Sequence, residues 1–235
     1  MDKRDRYHNL IFKRQSILSL PDGLLNYHET GFEINHIDAW EMWHSNLDAD
    51  IMVIGQDFAD AKTFIRDEGR VEPMADKYAY ATNKNLATLF ESGLGIQIGH
   101  PLNPNPKAKL FFTNAIIGLK QHGGMQGKVQ DEWAISSVKE FIKPLIEIVR
   151  PKVVFVLGRT AFKAVYKNFA DDISLKANIS RPFRELVGHK FQISNSTLVY
   201  PVYHCGSRGV NMNQKLEDQI KVWEKIGSAN NILTI

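Results

Sequence analysis

Four points in this 235-residue chain set a glycine or a polar group directly after an apolar run: Gly55-Gln56-Asp57, Asn114, Gly158 and His204. Ala49-Asp-Ile-Met-Val-Ile54 is almost unbroken in apolar and β-branched residues, reads as a buried strand, and is ended by Gly55. A carboxylate immediately beyond such a strand is held by the rigid sheet behind it. That suits a group that must orient a water molecule or face a developing positive charge. Asn114 can donate and accept at once, and His204 can do either according to its tautomer. Together, a carboxylate, an amide and an imidazole suit a small polar ring that presents carbonyls and an N–H.

These groups need a scaffold that brings them together, and the remaining patterns supply one. Lys109-Leu-Phe-Phe-Thr113 reads as a second strand ending at Asn114, Lys152–Leu157 as a third ending at Gly158, and Thr197–Tyr203 as a fourth that delivers His204. Helical segments lie between them. One is capped at Thr82 or Asn83 and runs through Leu86, Leu89 and Phe90 to Gly93 and Gly95. A second, of about 18 residues, carries Trp133, Val138, Phe141 and Ile142 on a helical period. Others span Ala161–Phe169 and Asn213–Ile226, and a short helical piece covers Asp38–Trp43. Strands alternating with helices predict a three-layer α/β/α sandwich around a mostly parallel, four-stranded sheet. Parallel strands end along one edge, so Asp57, Asn114, Gly158 and His204 should converge on one crevice.

The segments between are read as irregular. The polar stretch from Asp57 to about Tyr80 is a long loop, and His100–Pro106, with three prolines, holds no regular structure. Residues 1–45 form an N-terminal helical or irregular cover with a turn at Pro21-Asp22-Gly23, and residues 1–235 read as a single domain. The chain is 43% hydrophobic and 23% charged, ordinary for a globular protein. No apolar run approaches the roughly 20 residues of a membrane span, and the N-terminus lacks a secretory core. A cytoplasmic monomer without membrane contact is expected. The net charge of +3 comes from dispersed residues, so any phosphate-binding face must be assembled by folding. A single cysteine, Cys205, rules out an internal disulfide and any four-thiolate metal or iron–sulfur site within the chain.

Four of these segments also carry a family resemblance. Met-Val-Ile-Gly55-Gln56-Asp57 resembles the first motif of family 1 uracil-DNA glycosylases, Gly-Gln-Asp-Pro-Tyr. Phe111-Phe-Thr-Asn114 is similar to the superfamily's strand end, Leu/Ile-Thr/Leu-Asn. Arg150-Pro-Lys-Val-Val-Phe-Val-Leu-Gly-Arg-Thr-Ala161 resembles the third-strand region of family 4, and Tyr200-Pro-Val-Tyr-His204 the approach to a final His-Pro-Ser motif. The resemblance runs in order from about residue 48 to 226.

The resemblance implies hydrolysis of the N-glycosidic bond of uracil or a related deaminated base after it is flipped out of the DNA stack. Asp57 would orient water and stabilise the sugar cation, and His204 would hydrogen-bond the departing base. Asn114 would read the base edge, with Gln56 and Phe58 shaping the base pocket. Ser207 and Arg208 would contact DNA, Arg208 by filling the gap left by the flipped base or by binding a phosphate. No metal or organic cofactor is implied, and the missing cluster cysteines exclude the iron–sulfur branch. Phe58-Ala59 stands where family 1 has Pro-Tyr, so Ala59 is expected to widen the pocket at thymine's methyl. His204-Cys-Gly-Ser-Arg208 lacks the usual Pro-Ser. The aromatic that stacks on the base is left among Phe64, Tyr78 and Tyr80. The competing reading is a nucleoside or other small-molecule N-glycoside hydrolase, or a lapsed binding protein, on the same fold.

Overall fold

The computed structural model describes residues 1–73, 80–123, 128–169, 181–193 and 196–232. In chain order its strands are β1 Leu24–Leu25, β2 Ile51–Gly55, β3 Gly99–His100, β4 Asn103–Pro104, β5 Leu110–Asn114, β6 Leu119–Lys120, β7 Val153–Leu157, β8 Phe191–Ile193 and β9 Thr197–Val202. The central sheet runs β5-β2-β7-β9-β8, with the first four strands parallel and β8 antiparallel to β9. The four expected strands are all present, and β8 makes the sheet five-stranded instead of four-stranded. At three residues β8 is too short to show a period. A second correction concerns the proline-rich loop: β3 and β4 form a two-rung ladder there. Pro104 is tolerated because the ladder is exposed and consists of edges only.

Its helices include α1 Lys3–Gln15, α2 Ala61–Arg66, α3 Ala81–Leu94, α4 Asp131–Ser137, α5 Lys143–Val149 and α6 Arg159–Asn168. Alternation along the strands builds three layers. Met52 and Ile54 of β2 pack with α1, α4, α5 and α6 on one face of the sheet. Ile51 and Val53 pack with α3 and the helix Leu216–Ala229 on the other. There Trp223 stacks on Phe155, with ring centroids 4.1 Å apart and planes 9° from parallel. The fold is the α/β/α sandwich expected from the alternation of elements.

Element boundaries depart from expectation where side chains have other work. α3 begins at Ala81 with no side-chain cap. Asn83, one of the two expected caps, instead accepts from Trp40 Nε1 at 3.1 Å. The long loop after Asp57 contains α2, which Asp60 caps by accepting from Thr63 N–H at 2.9 Å. The long amphipathic helix is α4 and α5 joined by a π-turn, Val138–Ile142, in which Lys143 N–H donates to the Val138 carbonyl. Pro144 accounts for it, because a proline within a helix removes a donor and crowds the carbonyl four residues back. The last helix is Leu216–Ala229 where Asn213–Ile226 is expected, and a separate short helix, Ser207–Met212, precedes it.

The N-terminal cover is fastened by buried polar groups. Arg14 is almost fully buried on α1 and donates to the Ile34 and His36 carbonyls at 2.6 and 2.7 Å and to Glu33 at 2.8 Å. Tyr7 donates to Glu41 Oε2 at 2.6 Å, while Glu41 Oε1 accepts from Thr113 on β5 at 3.0 Å. These bonds lay residues 34–41 against the end of β5, directly behind Asn114.

Candidate active site

The ends of β2, β5, β7 and β9 open into one cleft of about 850 Å³. Gln56, Asp57, Phe58, Asn114, Gly158, His204 and Arg208 all line it, so the convergence expected from the strand ends is present. Ser207 does not: it is the exposed first residue of the helix Ser207–Met212 and points no surface into the cleft. Ala59 is also absent from the lining. It is buried beneath, its carbonyl accepting from Lys120 N–H at 3.3 Å, so it does not set the width of the pocket wall.

Both oxygens of Asp57 are engaged. Gln56 Nε2 donates to Oδ1 at 2.7 Å, and Lys120 Nζ lies 2.5 Å from Oδ2. Lys120 is 2% exposed and does not line the cleft, so it grips the carboxylate from behind. Sequence reasoning missed Lys120. A lysine in Gly-Leu-Lys-Gln carries no burial signal, and only the β1–β6 pairing and the approach of β6 to Asp60 place it inside.

β2 and β5 are in register with Gly55 opposite Asn114. The Asn114 side chain folds over Gly55 so closely that a Cβ there would lie 2.2 Å from Asn114 Oδ1 and 2.9 Å from the Trp40 ring. Asn114 Nδ2 donates to Asp38 Oδ1 at 2.9 Å. Burial pushes the Asp38 carboxyl up to about 6, and hydrogen bonds from Trp40, Tyr27 and Asn114 hold it from rising further, leaving it ionised at neutral pH. One consequence concerns Gly55→Ala. It should lower stability by about 1–3 kcal/mol, because an extra methyl in a close-packed site must push Asn114 aside. A melting curve would measure the loss, and a variant as stable as wild type would contradict this packing.

At the other wall Gly158 takes a φ of +88°, which permits the tight turn from β7 into α6. Its N–H donates to the Val202 carbonyl at 2.8 Å and ties β7 to β9 just before His204. His204 Nδ1 accepts from Gly206 N–H at 3.0 Å, so a neutral ring carries its proton on Nε2. Burial lowers the His204 pKa below the ordinary histidine value, and the Asp57 charge opposes this only in part. The ring is therefore a neutral donor near pH 7.

Of the three stacking candidates, Phe64 is fully buried in the core beside Tyr27 and is out of reach. Tyr80 lines the cleft with its hydroxyl tied to Asp67 and Arg66, and Tyr78 lies outside the described residues. Phe58 also faces the cleft, braced edge-on by Phe64 at 5.8 Å. Lys128, Arg159, Arg184 and Arg208 line the same cleft and are exposed. The first three were not singled out from sequence, where isolated basic residues carry no such signal. Among the described residues no group of three or more His, Cys, Asp or Glu side chains could hold a metal ion, and no helix is long and apolar enough to cross a membrane.

Compared with curated proteins, the sequence has no significant match. The family model described as the Uracil DNA glycosylase superfamily matches residues 42–227, from the segment that carries Trp43 to the helix that carries Trp223. That span holds every strand of the central sheet and most of the cleft's polar groups, and on it the chain belongs to the uracil-DNA glycosylase superfamily, with a DNA-glycosylase-like function in general.

Proposed function

We propose that this protein hydrolyses the N-glycosidic bond of uracil, or of a related deaminated base, in DNA. The observation that carries the reading is the meeting of Asp57, Asn114 and His204 in one cleft with exposed cations around them. A base turned out of the stack enters with its polar edge against Asn114. As the bond from C1′ to the base nitrogen breaks, its electron pair moves to the base and the sugar becomes cationic. His204 Nε2–H donates to the base carbonyl on which negative charge collects. Asp57 faces the sugar, its carboxylate fixed by Lys120 and Gln56, and orients the water that adds to C1′. The water's oxygen stays on the sugar, and a proton ends on the released base.

Lys128, Arg159, Arg184 and Arg208 suit the phosphates on either side of the extruded nucleotide. Four such contacts to duplex DNA predict that log affinity falls with log salt at a slope between about −3 and −4. A titration showing no salt dependence would remove these residues from DNA binding. Release of free base from oligonucleotides carrying uracil tests the reaction itself. Release from deoxyuridine but never from DNA would favour the nucleoside hydrolase instead.

A further inference from the structure

Asn114 reaches the cleft with one end of its amide already committed. Nδ2 donates to Asp38 Oδ1 at 2.9 Å, and Asp38 is fully buried behind it. The same carboxylate accepts from Trp40 N–H at 2.8 Å and from the Tyr27 hydroxyl at 2.9 Å. An ionised carboxylate offers no hydrogen, so only the nitrogen end of the amide can face it. Turning the amide over would set two oxygens against each other and leave buried acceptors unsatisfied. The other end, Oδ1, lies over Gly55, and Gly55 and Asn114 both line the cleft. What Asn114 offers a ligand is thus a fixed acceptor, with only its one remaining N–H as a donor.

That polarity matters for a site that meets both a base and its deaminated product. Cytosine presents a ring nitrogen that accepts beside an amine that donates. Uracil presents a ring N–H that donates beside a carbonyl that accepts. We propose that Asp38 is a positioning residue that fixes the direction of the Asn114 amide, so that the site takes a base with a ring N–H beside a carbonyl and refuses its amino parent. The inference rests on the glycosylase reading above. Asp38 touches no substrate and acts only through Asn114, because it lies outside the cleft lining.

Asp38→Ala removes the oxygen that accepts from both Trp40 N–H and Asn114 Nδ2, which frees the Asn114 amide to turn. Single-turnover release of uracil and of cytosine from matched oligonucleotides, at about pH 8 where Asp38 is ionised, reads the effect. Wild type should release uracil and not cytosine. In Asp38→Ala cytosine release should become measurable, and the uracil-to-cytosine rate ratio should fall at least about tenfold, or about 1.4 kcal/mol. Tyr27→Phe is the structural control. It removes a hydrogen bond from the same carboxylate but leaves the charge facing Asn114, so the ratio should stay within about twofold of wild type. Melting curves identify any variant that fails to fold, and Asp38→Ser, whose hydroxyl can still cap the Trp40 turn and can donate as well as accept, carries the same expectation if Asp38→Ala does not fold. A folded Asp38 variant with no detectable cytosine release would overturn the proposal. An equal change of ratio in Tyr27→Phe would overturn it too. Wild type that releases neither base would defeat the glycosylase reading instead.

Discussion

Asp57→Asn should cut single-turnover release of uracil about a thousandfold while DNA affinity stays within about twofold. The substitution keeps the shape of the side chain and removes its negative charge. In the proposed reaction that charge faces the sugar as the glycosidic bond opens, so the loss should fall on the chemical step and not on binding. The exposed cations that would hold the phosphates are untouched, which is why affinity should persist. Stability should also drop, by about 1–3 kcal/mol, because Lys120 is 2% exposed and loses the charge of a partner 2.5 Å away. A melting curve separates this from the kinetic effect. A folded variant with undiminished release would remove Asp57 from the mechanism.

His204→Ala should lower release about a hundredfold, the usual loss when one donor to a developing anion is removed. Its pH behaviour makes the prediction specific. Burial depresses the folded-state pKa, so the unfolded chain binds this proton more readily. The contribution of His204 to stability is therefore present above about 6.5 and is lost as pH falls through the lower folded value. Activity should follow the same course. A second proton on the ring would sit on Nδ1 against the Gly206 N–H and break the bond that fixes the ring's orientation. Wild-type release should stay level from neutrality down past the ordinary histidine pKa and then fall. A decline centred at or above about 6.5 would contradict a neutral donor.

Much of the scaffold could be read directly from the sequence, because strands buried on both faces leave near-continuous apolar runs. Val153–Leu157 is an example, buried at every position. The strand ends then pointed to Asp57, Asn114 and His204 without any knowledge of contacts. What stayed hidden depends on register and on distant pairing. That Gly55 stands opposite Asn114 follows from strand alignment, which a single sequence does not display. Lys120 and Asp38 look like ordinary surface and cap residues. Asp38 does begin the helical turn Ala39–Met42 by accepting from Trp40 N–H, as such a residue should. Its second task, holding Asn114 from 76 residues away in sequence, exists only in the folded chain. The base-stacking aromatic was open for the same reason: burial removes Phe64, Tyr80 lines the cleft beside Phe58, and Tyr78 lies outside the described residues.

The most direct test of the central claim is base release from an end-labelled oligonucleotide carrying one uracil, in single- and double-stranded form, with alkali cleavage marking the abasic site. Cleavage at the uracil position by wild type, and its loss in Asp57→Asn, is the predicted result. An intact strand after prolonged incubation with folded wild-type protein in both forms would contradict it.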